Sequence, residues 1–274
     1  MVGPQSKFER WRYATASALG TSHQKTATVC QDAHLCAALP HPPGGETLAV
    51  FIADGAGSAR FADQGAQFAC RHFGDRVAAF LREGYTVGAV TREVAADWLR
   101  TFQLELQLLA DDAGVPLREF ACTVLGSLFD DASAVYFQVG DGVIAILDPS
   151  TNEYQWIFWP DRGEYANTTY FATEPNAFEQ LQFESRPESP MEVAVLTDGL
   201  QALALDYKTQ TAHTPFFRGL FPPLRRSAAG HDVTLSEQLL LFLNSPRINS
   251  RTDDDKTLVL ATRIVEDTTG GNAV

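Results

Sequence analysis

No stretch of this 274-residue sequence approaches the roughly 20 consecutive apolar residues of a membrane-spanning helix. The opening residues, MVGPQSKFERWRY, lack the apolar core of a secretory leader. Basic charge is scarce. Against 34 Asp and Glu there are 21 Lys and Arg, a net charge of −13. That balance argues against a surface for nucleic acid or anionic lipid, whose phosphates need Lys and Arg. It leaves an anionic substrate open, because bound cations can supply the positive charge. Cysteine is also sparse. Cys30, Cys36, Cys70 and Cys122 form no close CxxC pair, so a zinc site of that type has no support. Free thiols in a reducing cytoplasm are the simplest reading.

Apolar residues make up 45% of the chain and charged residues 20%, enough to fill a core and too little charge for disorder. No internal repeat or low-complexity block appears, and no Pro/Gly/Ser-rich linker divides the chain. It reads as one domain over 1–274, with its core over about 11–265. Residues 11–20 suit a first strand and residues 41–46 (HPPGGE) a turn. Residues 48–53 (LAVFIA) form a short apolar run of the buried-strand type. Phe61, Phe68, Ala69, Phe73, Val77 and Phe80 recur at helical spacing, which predicts a helix over about 59–83. A second helix is predicted over about 87–113, closed by Gly114 and Pro116.

Strands follow over 121–129, 134–139, 143–147 and 154–159, with Gly140-Asp141-Gly142 reading as a tight hairpin turn. Residues 160–178 read as a long surface loop. Strand character resumes over 181–184 and 192–196. Residues 200–245 read as helical with a turn at Pro222-Pro223, residues 246–253 as a loop and 257–262 as a last strand. Residues 266–274 look like a frayed tail. Segregated runs of strands and helices point to the α+β class.

Four acidic sites share one placement. Asp54 ends an apolar run before Gly55. Asp198 ends another before Gly199. Asp141 lies between two glycines at a strand turn. Asp253-Asp254-Asp255 precedes the last strand. A single Asp-Gly step is most often only a turn. Several carboxylates converging on strand ends would repel one another without a cation. Hard divalent ions such as Mg²⁺ and Mn²⁺ prefer an all-oxygen environment of this kind. Gly55-Ala56-Gly57 lacks the following Gly-Lys-Ser/Thr of a phosphate loop. Cys30 reads as a buried thiol rather than a nucleophile.

The motifs occur in a telling order: Gly20-Thr21-Ser22-His23 and Cys30-Gln31-Asp32, then Ala53-Asp54-Gly55-Ala56-Gly57, Gly140-Asp141-Gly142, Leu196-Thr197-Asp198-Gly199-Leu200, and Asp254-Asp255-Lys256-Thr257-Leu258-Val259. In that order the chain resembles the metal-dependent serine/threonine protein phosphatases of type 2C (the PPM family), in their compact bacterial form. The resemblance implies a central antiparallel β-sandwich with helices on both outer faces. It implies a binuclear Mg²⁺ or Mn²⁺ centre at one end, with a metal-bridging hydroxide that attacks phosphoserine or phosphothreonine. Asp54 matches the carboxylate that bridges the metals, and Gly55 the residue whose carbonyl binds one of them. Asp198 and Asp254 match further ligands, and Asp32 a ligand acting directly or through water. Asp141 matches a residue associated with a third metal in some members. Asp254 is preferred to Asp255 because aligning Thr257 with the family's Asp-Asn-x-Thr pattern puts the ligand three residues earlier. His23 is the candidate proton donor, with a structural role as its alternative.

The chain departs from the pattern in three places. Gln31 stands where the family often has Glu. Residues 23–29 contain no Arg to grip phosphate, leaving His23 or Lys25 as substitutes. Gly142 follows Asp141 where Ser-Arg is common. Two other readings therefore stay open: a catalytically weak regulatory or binding module, and a phosphoesterase for small molecules. The implied partners are a phosphorylated protein and a cognate Ser/Thr kinase, with no nucleic acid and no membrane. Trp156, Phe158, Trp159, Tyr165, Tyr170 and Phe171 read mainly as packing residues. The loop around 160–180 falls where the family carries its variable flap, and so bears on substrate choice.

Overall fold

Strand β3 (Gly45–Ala53) is apolar on both faces, and the fold follows from that. Ala49, Phe51 and Ala53 face one core, while Leu48, Val50 and Ile52 face another. A strand with two apolar faces must be covered twice, by helices on one side and a second sheet on the other. The computed structural model describes residues 11–41, 45–160 and 169–264.

One sheet contains β2 (Ala33–His41), β3, β4 (Val124–Phe129), β5 (Ala134–Val139) and β8 (Gln182–Arg186), in the spatial order β2-β3-β4-β5-β8. The other is ordered β12-β1-β13-β9-β6-β7. Its members are β1 (Trp11–Ala18), β6 (Val143–Asp148), β7 (Glu153–Trp156), β9 (Glu192–Leu196), β12 (Gly230–His231) and β13 (Lys256–Arg263). All pairings are antiparallel except β1 with β12. Leu125, Phe129 and Tyr136 of the first sheet meet Val193, Val195 and Val259 of the second in the central core.

Helices α2 (Ala62–Arg82) and α3 (Arg92–Ala113) cover the first sheet. Their buried residues, among them Ala66, Ala69, Phe73 and Val77 on α2 and Trp98, Phe102 and Leu106 on α3, follow three-four spacing. Thr91 caps α3 by accepting from Val94 N, and Gly114 closes it with φ +67°. The second sheet is covered by α6 (Thr214–Leu224) and α7 (Val233–Leu243) through Phe217, Phe221, Leu224, Leu239 and Leu243. Short elements complete the chain: α1 (Thr21–Thr26), α4 (Ala177–Gln180), α5 (Gln201–Ala204), α8 (Pro246–Asn249) and the ribbon β10 (Leu205–Asp206) with β11 (Thr211–Ala212). This is the expected α+β sandwich with helices on both faces.

Several local expectations are corrected. Gly140-Asp141-Gly142 is not a hairpin turn, because β5 and β6 belong to different sheets and the step carries the chain across the sandwich. Pro222 and Pro223 lie inside α6 rather than in a turn. They fall in its last turn, so the backbone hydrogen bonds they forgo are among the final ones of the helix. The second predicted helix begins five residues late, after a single 3₁₀ turn at Val87–Ala89. Strand β2 is not among the strands expected from the sequence: it is an edge strand whose residues are mostly half-buried, so it shows neither a continuous apolar run nor a clean alternation. Residues 246–253 include a helical turn. The predicted tail falls outside the described residues, as do residues 42–44 of the predicted turn. Among the described residues no helix is long and apolar enough to cross a membrane. The four cysteines are free thiols.

Candidate metal centre

Strand register brings the acidic motifs together. Ala18 pairs with Lys256, Ala33 with Ala53, Val124 with Val139, and Leu196 with both Val143 and Leu258. The segments just beyond those pairs hold Gly20, Asp32, Asp54, Asp141, Asp198 and Asp254, and they all emerge at one end of the sandwich. Two glycines let the segments close up. A Cβ on Gly20 would stand 2.5 Å from Asp254 C, and one on Gly199 only 2.0 Å from Asp255 O. Neither contact tolerates a side chain.

The result is a cleft of about 180 Å³ lined by His23, Gln31, Asp54, Gly55, Ala56, Gly57, Thr123, Asp141, Thr169, Phe171, Asp198 and Asp254. Of the expected site residues, His23, Asp54, Gly55, Asp141, Asp198 and Asp254 line it. Asp32 sits behind the wall, buried, with Oδ2 accepting 2.8 Å from Thr197 Oγ1. Thr197 Oγ1 in turn accepts from Thr257 N at 2.9 Å. Asp255 is buried outside the cleft, where its carboxylate accepts from Gly20 N, Gln31 N and His23 Nδ1. Asp54 is fixed through its backbone: its N–H donates to Thr123 Oγ1 at 2.9 Å, and its carbonyl accepts from Thr123 N at 2.8 Å. Gly55 N donates to Gln31 O at 3.1 Å, tying the two motifs together. Asp141 accepts on Oδ2 from Thr169 Oγ1 at 2.8 Å, and its carbonyl accepts from Gln201 Nε2.

Four of the described residues that line the cleft are carboxylates, and among the described residues no Lys or Arg lines it. Their electrostatics follow. Burial, then the neighbouring Asp32 and Asp198, push the Asp54 carboxyl well above the usual carboxylate range. Burial and the Asp141 charge push Asp198 up to about 6. Burial raises Asp32 to about 7, against the opposing bonds from Thr197 and Thr257. Partial desolvation in the cleft raises Asp254 as well, although the residue is open to solvent on one side. Such a group of acids favours either protons or a cation.

The donor set fits a hard cation. It is all oxygen apart from one imidazole, and Oδ1 of Asp32 and Oε1 of Gln31 are buried without a hydrogen-bond partner. Among the described residues no three His, Cys, Asp or Glu side chains are drawn together tightly enough to hold an ion alone.

Sequence reasoning did not find Thr123, Thr169, Asp255 as a brace, or the buried Lys256. The ammonium of Lys256 donates to Leu19 O, Asn249 Oδ1 and Asp254 O. The partners of Thr123, Thr169 and Asp255 come from distant segments, and no local pattern marks them. Lys25 is exposed and does not line the cleft. Cys30 is half-buried, and burial with the Asp32 charge pushes its thiol up, away from nucleophilic thiolate. Of the aromatic group, Phe158 packs in the central core and Phe171 lines the cleft. Trp156 and Trp159 meet edge-to-face at 5.4 Å, and Tyr170 packs against the helical core. Tyr165 lies outside the described residues, as do residues 161–168 of the expected flap.

Comparison with known proteins bears on this site. The family model for protein phosphatase 2C matches residues 19–244. Serine/threonine-protein phosphatase 3 of Escherichia coli K12 is 34% identical over 253 residues, covering 92% of this chain and 98% of its own. Two solved structures share the fold. The S. agalactiae serine/threonine phosphatase has a TM-score of 0.60 at 14% identity and covers 92% of this chain and 99% of its own. The catalytic domain of PstP, in complex with two manganese ions, has a TM-score of 0.58 at 16% identity and covers 93% of this chain and 99% of its own.

Proposed function

This chain belongs to the protein phosphatase 2C family, and from that membership we propose that it hydrolyses phosphoserine and phosphothreonine esters in proteins at the carboxylate cleft. Asp54, Asp198 and Asp254, with the carbonyl of Gly55 and with Asp32 behind them, would hold two divalent cations, Mg²⁺ or Mn²⁺. Asp141 would serve a third. The observation that carries this reading is the convergence of four carboxylates on one cleft, with no Lys or Arg among the described residues that line it. The manganese-bound PstP fold and the E. coli phosphatase support it.

Cations bound there lower the pKa of water and offset the charge of the phosphoryl oxygens. The chain's own residues do the rest. Asp54 and Asp198 are fixed at strand ends, so the groups that orient water and phosphate move little during reaction. Thr197 and Thr257 hold Asp32 in one rotamer. Thr169 and Phe171 line the cleft and would contact an entering phosphopeptide. His23 lines the cleft and is the candidate donor of a proton to the departing serine or threonine oxygen. The substrate is a phosphoprotein, with a Ser/Thr kinase acting in the opposite direction.

The test is turnover of a phosphothreonine peptide and of an aryl phosphate in Mn²⁺, each with a chelator control. Chelator-sensitive release of phosphate from the peptide is expected. Turnover of the aryl ester alone indicates a small-molecule phosphoesterase, and turnover of neither, with Mn²⁺ still bound, indicates a binding module.

A further inference from the structure

His23 has little of its own to hold it. It sits on α1, a helix of six residues in which no residue is buried and no side chain caps the N-terminus. The helix is fastened instead to the segment before β13. Ser22 N and Ser22 Oγ both donate to Asp253 O, at 2.9 and 2.6 Å. Gly20 N donates to Asp255 Oδ1 at 2.6 Å. His23 Nδ1 donates to Asp255 Oδ2 at 3.0 Å, and the same oxygen accepts from Gln31 N at 2.6 Å. Asp255 is 2% exposed, whereas the His23 side chain is 18% exposed and lines the cleft. Three donors converge on the two oxygens of one buried carboxylate. An amide at this position has a single oxygen and could not accept all three.

We propose that Asp255 is the positioning residue for His23: by holding Nδ1–H it fixes the ring so that Nε2 is the nitrogen presented to the reacting phosphoester. The proposal rests on the phosphatase reading of the cleft and on His23 as proton donor. In the step it serves, the oxygen of the attacking water forms a bond to phosphorus. The ester P–O bond breaks, and its electron pair stays on the serine or threonine oxygen. That oxygen takes the proton from Nε2. The ring regains a proton from solvent, which has received the one released by the attacking water. The products are the free hydroxyl and inorganic phosphate. Asp255 touches neither substrate nor water in this scheme. It acts through the imidazole, as a carboxylate that orients a histidine does in other hydrolases.

A leaving-group comparison separates this role from bracing alone. A proton donor matters most when the departing oxygen is a poor leaving group, as in phosphothreonine, and less for 4-nitrophenyl phosphate. With Mn²⁺-loaded enzyme, Asp255→Asn is expected to lower kcat on a phosphothreonine peptide by about tenfold or more. The loss on the aryl ester should be clearly smaller, with KM and Mn²⁺ affinity by calorimetry retained. His23→Ala should show the same selectivity, and His23→Ala/Asp255→Asn should be no slower on the peptide than His23→Ala alone. Equal losses on both substrates for Asp255→Asn, or full additivity in the double variant, overturn the positioning role. A His23→Ala variant without peptide-selective loss overturns the proton-donor reading beneath it. Because Asp255→Asn removes a buried acceptor and risks misfolding, the wild-type ring is read as well. In ¹⁵N-histidine-labelled, Mg²⁺-loaded protein, the His23 signal (identified by its absence in His23→Ala) should show the proton of the neutral ring on Nδ1. A proton on Nε2 in the neutral ring overturns the proposal.

Discussion

Thr197 and Asp32, 165 residues apart in sequence, are joined by a 2.8 Å hydrogen bond from the Thr197 hydroxyl to Asp32 Oδ2. The same hydroxyl accepts from Thr257 N, so a single side chain links the first acidic motif to two strands of the opposite sheet. Thr197→Val keeps the shape and removes the hydroxyl. It leaves Asp32 without that donor and Thr257 N–H without that acceptor, both buried. A loss of about 1–3 kcal/mol in stability is expected from urea unfolding, together with weaker Mn²⁺ binding. An unchanged unfolding midpoint would remove the bond from the account.

Asp254 and Asp255 are neighbours with different work. Asp254 is at the cleft and exposed, while Asp255 is buried among three donors. Asp254→Asn is expected to weaken Mn²⁺ binding in calorimetry while changing the unfolding midpoint little. Asp255→Asn is expected to do the reverse, costing about 1–3 kcal/mol of stability. Should the two variants exchange these signatures, the ligand register is off by one.

Two glycines make a contrasting pair. A Cβ at Gly199 would lie 2.0 Å from a backbone oxygen of Asp255, so Gly199→Ala must push the Asp198 segment away from the last strand. Destabilisation and loss of activity are expected together. At Gly219, inside α6, a Cβ meets nothing within 4 Å. Gly219→Ala is expected to stabilise by about 0.5–1 kcal/mol with activity intact. Thermal unfolding of the two variants checks both signs.

A pH effect arises away from the cleft. His72 is buried between α2 and α3, with Nδ1 on Glu105 and Nε2 near Trp98 O and Thr101 Oγ1. Burial holds its pKa below the usual 6.5, despite the opposing pull of Glu105 and of the Trp98 carbonyl and with Arg76 nearby adding to the lowering. A depressed pKa means the unfolded chain binds the proton more readily. The stability this neutral ring contributes is complete above about pH 6.5 and is lost as pH falls through the folded value. His72→Gln should therefore flatten the decline in stability between pH 7 and 5. An identical slope in the variant and the wild type would contradict the assignment.

Much of the site was legible because each acid carried a local mark, a strand ending in Asp-Gly or an acid run before a strand. The ordered motifs then implied that Asp54, Asp141, Asp198 and Asp254 share one place, and register brings them to one cleft. What escaped the sequence was relational. Asp255 looked like a neighbour of a ligand, and only the fold shows Gly20, His23 and Gln31 converging on it. Gly140-Asp141-Gly142 was read as a hairpin because a turn has the same local composition whether the chain returns within a sheet or crosses to the other. Thr123 and Thr169 carry no pattern, since a threonine is ordinary until the fold sets it against the Asp54 backbone or the Asp141 carboxylate.

The central claim is that the carboxylate cleft is a metal-dependent phosphoester centre organised on Asp54. Its most direct test is hydrolysis of a phosphothreonine peptide in Mn²⁺ by the wild type and Asp54→Asn side by side, each with and without chelator. The account predicts turnover by the wild type that the chelator abolishes. It predicts that Asp54→Asn falls by at least about a hundredfold while remaining folded, and that its metal-free form is no less stable than the wild type because a crowded like charge is gone. Full turnover by a folded Asp54→Asn variant, or wild-type turnover indifferent to chelator, would contradict it.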